Sequence, residues 1–321
     1  MQGTVIKLDR GYPLVLLDDG TEVRCEHAVS LVKNKEQRAV IGDRVEIELP
    51  DGHDKGRIND VLPRRTSFVR KDPTERALPQ TLAANFDLVL VAQPLDQVNV
   101  RRLERELVLA HETGAEVVVV LTKADLLDSD AEVESVLSRI EGFVGDDRVM
   151  VLSGKDPDSI DAVANLIAQG SKTAILIGRS GVGKSTLVNM LVGSDIRKTT
   201  QVREDGKGRH TTVSREIVPL PKGGYVVDMP GVRGLGLWDA EEGIGAAFAD
   251  VEELAAQCKF RDCSHVNEPG CAVRAAVESG DLAQSRLESY LRLKDESAQV
   301  RQRRTEAERI RTRRGHPRRR R

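Results

Sequence analysis

Apolar and polar positions change rhythm twice along the chain. Over residues 1–62 apolar side chains fall in short runs at 3–8, 14–17, 21–25, 44–49 and 56–61, separated by Asp19-Gly20, Pro50-Asp51-Gly52 and similar turn punctuation. Such runs between turn residues predict short strands, and five of them in about sixty residues fit a small closed barrel of the OB type. From residue 87 the rhythm changes. Runs at 88–92 and, after Glu116, at 117–121 are apolar throughout, as in strands buried on both faces, while 99–112 puts Leu103, Leu107 and Ala110 on one face of a helix. Strand and helix alternate to about residue 228, which predicts a parallel α/β sheet. Beyond Trp238 the pattern is helical, at 242–257 and 281–312. The stretch 63–80, rich in Pro, Arg and Lys, reads as a connection. The expected division is a barrel at 1–64, a linker at 65–79, an α/β domain at 80–236 and a helical domain at 237–321 with a core separate from that of the α/β domain.

At the end of an expected strand, 173–177, stands Gly178-Arg179-Ser180-Gly181-Val182-Gly183-Lys184-Ser185, followed by the helix-forming run from Thr186. This is G-x-x-x-x-G-K-[ST], a loop whose backbone N–H groups cradle phosphate oxygens. Its lysine neutralises charge and its serine hydroxyl reaches Mg²⁺. Asp228-Met229-Pro230-Gly231 follows the strand 224–228, and a D-x-x-G there suits a carboxylate at the Mg²⁺ shell and a glycine N–H facing a γ-phosphate. Thr122-Lys123-Ala124-Asp125 closes the strand 116–121. Read as [N/T]-K-x-D, it places a carboxylate to accept both N–H groups of a guanine edge, which adenine cannot supply. Ser153-Gly154 fits a second guanine-facing loop.

Composition adds partners and limits. The longest apolar runs, such as 117–121, are far too short to span a bilayer, and the N-terminus has no signal-peptide pattern, so a cytoplasmic protein without membrane contact is expected. Net charge is −2, yet residues 301–321 hold eleven Arg against Glu306 and Glu308, a local +9 on a body of −11. A basic tail on an acidic body points to a polyanion such as nucleic acid; a solvated helix end is the plainer reading. Of four cysteines, Cys25 sits in a strand-like run and reads as a small buried side chain. The other three join a histidine as Cys258, Cys263, His265 and Cys271, spaced C-x₄-C-x-H-x₅-C. Three thiolates and an imidazole make a closed, structural zinc site with one Zn²⁺ per chain.

The base-reading elements (122–125, 153–155) precede the phosphate loop (178–185), and Arg209-His210-Thr211-Thr212 and Asp228–Gly231 come after it. This is a circular permutation of a G domain, tolerable because natural chain ends lie close together on a domain surface. With these motifs in order, Ile41-Gly42-Asp43-Arg44-Val45 in the barrel and the run 80–87 leading into the G domain, the chain resembles the ribosome small subunit-dependent GTPase A family over nearly its whole length. The resemblance implies an OB barrel, a permuted GTPase domain and a zinc domain, with GTP hydrolysed to GDP under stimulation by the small ribosomal subunit late in its maturation. The expected nucleotide contacts are Thr122, Lys123, Asp125, Ser153, Gly154, the loop Gly178 to Thr186, Thr211, Asp228 and Gly231. Ser185, Thr212 and Asp228 would hold magnesium. Lys184 and Thr212 would act in catalysis. Val232 stands where a water-orienting Gln is usual, so unaided hydrolysis should be slow, with His210 the nearest polar substitute; the alternative for His210 is a loop histidine bonded to backbone or RNA. Thr122 replaces the commoner Asn, which weakens one expected contact. The partners expected are the small subunit and its rRNA, with the chain a monomer. A competing reading is an RNA-binding assembly module that uses GTP only as a conformational ligand.

Overall fold

The structure, a computed structural model, describes residues 1–9, 12–33, 38–50, 52, 54–71, 79–145, 147–193, 215–228, 236–238 and 240–315. Strands β1 (Gln2–Asp9), β2 (Tyr12–Leu17) and β3 (Glu22–His27) form a meander. Helix α1 (Val29–Lys33) leads to β4 (Arg44–Glu48) and β5 (Gly56–Val61). The hydrogen-bonded order is β1-β2-β3-β5-β4, and β4 returns to β1 through Gln2↔Glu46 and Gly3↔Val45. This closes the OB-like barrel that the alternating runs predict. Val5, Val15, Val45, Ile47 and Ile58 fill it, with Cys25 among them. Burial pushes the Cys25 thiol up to about 11, so it packs rather than reacts.

The stretch expected to be a linker contains structure. β6 (Ser67–Lys71) pairs antiparallel with β7 (Pro79–Ala84). Phe68 and Leu82 are buried in the main core of the molecule. Flanking Pro, Arg and Lys masked a five-residue strand whose burial is tertiary. Asp43 of the barrel, fully buried, accepts from Arg64 at 2.8 Å, and Asn85 donates to the Gly42 carbonyl at 3.0 Å. The two runs that carried the family resemblance in the barrel and before the G domain thus pack on each other.

The α/β part follows as β8 (Leu88–Pro94), α2 (Val100–His111), β9 (Glu116–Thr122), α3 (Asp130–Val144), β10 (Arg148–Val151), α4 (Pro157–Ala168), β11 (Thr173–Ile177), α5 (Lys184–Val192), β12 (Arg215–Pro219) and β13 (Tyr225–Asp228). The strand order is β10-β9-β8-β11-β13-β12, parallel except for β12. Because side chains alternate along a strand, Leu88, Leu90, Val118, Val120, Ala174 and Leu176 face α4 and α5. Val89, Val91, Val119, Leu121, Ile175 and Ile177 face the opposite side with α2. The sheet does not end at β12: the later part of β1 pairs with it (Lys7↔Glu216, Leu8↔Arg215), backed by a 2.7 Å Lys7–Glu216 ion pair.

The last part is helical: α6 (Glu241–Ala247), α7 (Ala249–Ala255), α8 (Ala272–Ser279) and α9 (Gln284–Gly315). Its expected separate core is not observed. Leu103, Leu107 and Val108 of α2 join Ile244, Phe248, Tyr290 and Leu293 in one continuous cluster that also reaches Val91 and Ile177. Gly243 makes this possible, since a Cβ there would lie 2.1 Å from the Val108 carbonyl oxygen. Arg286, 5 % exposed at its side chain, donates to Glu104 at 3.1 Å and Asp250 at 2.8 Å, and its guanidinium lies 4.1 Å from the Phe248 ring centroid. No helix among the described residues is long and apolar enough to cross a membrane.

Candidate nucleotide site and metal centre

The phosphate loop hangs between β11 and α5, at the carboxyl end of a parallel strand, where α/β sheets place ligands. Gly178 has φ +140°, and a Cβ there would stand 2.5 Å from the Ala92 carbonyl oxygen, so only glycine lets the loop lie this close to β8. Lys184 opens α5 and arches back, donating to the carbonyls of Gly178 at 2.6 Å and Arg179 at 2.8 Å. Ser185 and Thr186 are exposed on the same first turn, where free N–H groups and the helix dipole favour an anion.

The base-reading loops come to the same place. Lys123 takes a left-handed conformation (φ 62°, ψ 34°), which turns the chain sharply after β9. The Gly154 N–H then lies 3.4 Å from Asp125 Oδ1, and Ser153 Oγ accepts from the Lys155 N–H at 3.1 Å. Thr122, Lys123, Asp125 and Gly154 share a cavity of about 210 Å³ with Gly183 and Thr186. Leu152, Ile160, Leu187 and Met190 give it an apolar wall suited to the face of a purine. Thr122 is buried, and its hydroxyl donates to the Val182 carbonyl at 2.5 Å. Thr122, the expected weakened base contact, thus lines the cavity and also ties the base loop to the phosphate loop. Of the remaining expected residues, His210, Thr211, Thr212, Gly231 and the side chain of Asp228 lie outside the described residues. Backbone pairing places Asp228 at the end of β13, beside Glu216 of β12.

Two residues that motif reading passes over sit beneath the loop. Gln93, at the end of β8, and Glu106, on α2, are both buried and hydrogen bonded to each other. Burial pushes Glu106 up to about 7 against the pull of Gln93, Arg102 and Lys184. Among the described residues the other Glu106 oxygen, Oε1, is buried with no hydrogen-bond partner. A lone Glu between Arg105 and Leu107 carries no sequence signal of this burial.

The cysteine cluster assembles as the spacing requires. The ligand atoms of Cys258, Cys263, His265 and Cys271 all lie within 4.8 Å of one another. Cys258 Sγ is 3.9 Å from Cys271 Sγ and 3.6 Å from His265 Nδ1, and Cys271 Sγ is 3.5 Å from the same nitrogen. Zinc–sulfur bonds of ~2.3 Å at tetrahedral angles put sulfurs about 3.8 Å apart, so the group fits a zinc ion. Glu268 ties the loop by accepting from the N–H groups of Ser264, Val266 and Asn267.

Known proteins agree with this geometry. The family model described as RsgA GTPase matches residues 61–238. The chain is 41 % identical over 302 residues to a Streptomyces avermitilis protein named small ribosomal subunit biogenesis GTPase RsgA, covering 94 % of this chain and 80 % of that one. A protein of the same name from Xanthomonas euvesicatoria is 44 % identical over 264 residues, 82 % of this chain and 70 % of that one. Among solved structures, YjeQ from Thermotoga maritima superposes with a TM-score of 0.67 at 28 % identity, covering 92 % of this chain and 98 % of that one. YloQ, described as a circularly permuted GTPase, does so with a TM-score of 0.66 at 25 % identity, covering 93 % and 95 %. The matched model spans more than half of the chain, and the permuted fold is shared from barrel to helices: the chain is a circularly permuted GTPase and belongs to the RsgA GTPase family.

Proposed function

We propose that this GTPase binds GTP in the cavity between the 122–125 and 178–186 loops, hydrolyses it to GDP and phosphate, and uses the cycle to engage and leave the small ribosomal subunit late in its maturation. One observation carries the nucleotide reading: Asp125 and the phosphate loop meet in a single purine-sized cavity, with Thr122 tying one to the other. The relatives' shared name supports the partner, and the Arg-rich tail supports contact with rRNA.

In this reading Asp125 accepts from guanine N1–H and N2–H₂, Lys123 covers the base, and Ser153 and Gly154 close its edge. The N–H groups of 179–186 hold the phosphates, and Lys184 leaves its loop carbonyls to stabilise charge developing on them. Thr211 and Gly231, both outside the described residues, are the γ-phosphate contacts in this reading. Ser185, Thr212 and Asp228 would hold Mg²⁺, which would supply charge neutralisation to the phosphates. His210 orients the attacking water in place of the apolar Val232, so the free enzyme is slow and the subunit accelerates it. Cys258, Cys263, His265 and Cys271 hold one structural Zn²⁺. The protein works as a monomer in the cytoplasm.

The test is steady-state phosphate release from GTP with added small subunits, large subunits and whole ribosomes. Acceleration by small subunits, lost in Lys184→Ala, is expected. A fast enzyme indifferent to small subunits would overturn the partner assignment, and tight GTP-dependent subunit binding without accelerated turnover would favour the assembly module instead.

A further inference from the structure

The Gln93–Glu106 pair lies outside every motif, yet it adjoins the strand residue on which the phosphate loop packs. Gln93 ends β8. Its neighbour Ala92 is the residue against which Gly178 packs, and the Gln93 carbonyl lies 3.3 Å from the Thr122 hydroxyl. Glu106 reaches this point from α2, fully buried, with one oxygen taken by Gln93 and the other without a partner among the described residues. Among the described residues the charges that face it are Arg102, one turn earlier on α2, and Lys184 at the start of α5; β8 contributes only the neutral Gln93.

An ionised carboxylate in this place is balanced partly by Lys184. When nucleotide phosphates enter, Lys184 turns to them and several negative charges arrive within the same low-dielectric region. Two like charges near one site raise the pKa of the weaker acid. Gln93 can serve both states of its neighbour. Its NH₂ donates to a carboxylate, and with the amide turned over its carbonyl accepts from a carboxylic acid.

We propose that Glu106 is a positioning residue of the nucleotide site, a buried carboxyl that takes up one proton from solvent when the phosphates bind and holds the loop through Gln93 in either state. The inference rests on the nucleotide site proposed above. Its consequence has a definite sign. Below about pH 7 the carboxyl is already protonated in the free protein, and binding takes up nothing. Above that pH each binding event must draw a proton, so affinity falls by up to about tenfold per pH unit.

The experiment measures binding of the fluorescent nucleotide mant-GDP, with Mg²⁺ present, from pH 6.5 to 8.5. Wild type is compared with Glu106→Gln, an isosteric stand-in for the protonated acid, and comparing the two removes any ionisation of the nucleotide itself. Wild-type Kd is expected to rise several-fold between pH 7.5 and 8.5, while Glu106→Gln stays flat and binds more tightly than wild type at pH 8.5. Calorimetry in two buffers of different ionisation enthalpy should show proton uptake near pH 8 in wild type and none in the variant. Parallel pH profiles, or a variant weaker by the same factor at every pH, would reduce Glu106 to a packing role and overturn the proposal. No binding by wild type at any pH would instead sink the nucleotide site itself.

Discussion

Asp125 and Thr122, three residues apart at the end of β9, face different partners. Asp125 is half-buried at the cavity, with the Gly154 N–H 3.4 Å from its Oδ1, whereas the Thr122 hydroxyl fastens the loop to the Val182 carbonyl. Asp125→Asn places an NH₂ against guanine N1–H, and GTP affinity is expected to drop by about 100-fold, near the upper range for a charged hydrogen bond. Xanthosine triphosphate should recover binding in that variant. Equal GTP affinity in a fluorescence titration would show that 122–125 is not the base reader. Thr122→Val leaves the buried Val182 carbonyl without its donor, at a cost of about 1–3 kcal/mol. GTP binding should weaken about tenfold, and Thr122→Asn, which keeps a donor of suitable length, should restore it. The phosphate loop, Asp125 and the zinc ligands were readable because each is a local pattern whose chemistry needs fixed spacing. Glu106 was not. Within Leu103-Glu104-Arg105-Glu106-Leu107 it looks like any charged helix position, and only the packing of β8 and α5 around it makes it unusual.

Helix α2 is the element on which the molecule turns. Successive residues of a helix point about 100° apart, and three in a row use this to face three neighbours. Glu104 meets Arg286 of α9, Arg105 meets Glu296 further along α9, and Glu106 meets Gln93 of β8. Arg286→Met strands Glu104 in a site where its carboxylate is 1 % exposed. Loss of one partner of a buried pair costs about 3–5 kcal/mol, so thermal unfolding should shift strongly down, while Glu104→Gln combined with Arg286→Met should recover part of the loss. The shared core also bears on the metal. Cys263→Ala, or removal of zinc by chelation, is expected to lower the unfolding temperature of the α/β and helical parts together in one calorimetric transition. A separate early transition, with the remainder melting as in wild type, would show that the helical domain unfolds alone. That sharing was hidden in the sequence because α2 reads as an ordinary amphipathic helix, and one apolar face cannot say which domain supplies its cover. The β6–β7 hairpin was hidden for a similar reason, since Phe68 and Val69 are too few to establish a period.

Across the whole molecule, charge is concentrated where the chain ends. Arg301 pairs with Glu241 and Arg304 lies over Trp238 at 5.9 Å, so the basic helix begins as part of the fold. Truncation after Thr305 keeps both interactions and removes eight arginines. Affinity for ribosomal RNA should fall, and the slope of log K against log salt should flatten by about 0.7–0.9 for each phosphate no longer neutralised. Identical slopes for the two proteins would mark the tail as solvated only.

The strand β1 belongs to two structures at once, closing the barrel through β4 and extending the α/β sheet through β12. Two binding modules on a slack tether find a second site with an effective concentration set by tether length; modules welded by a shared strand do so only when the target presents both sites at the matching distance and angle. Joined in this way, the barrel and the nucleotide domain would act as a caliper on a partner that touches both. A ribosomal subunit whose two docking points are still out of place would be gripped by one jaw and held weakly, and one that has reached its mature shape would be gripped by both. Loosening the weld with Lys7→Glu, which sets like charges opposite Glu216, should lower affinity for mature subunits far more than for an isolated RNA fragment that fills only one jaw.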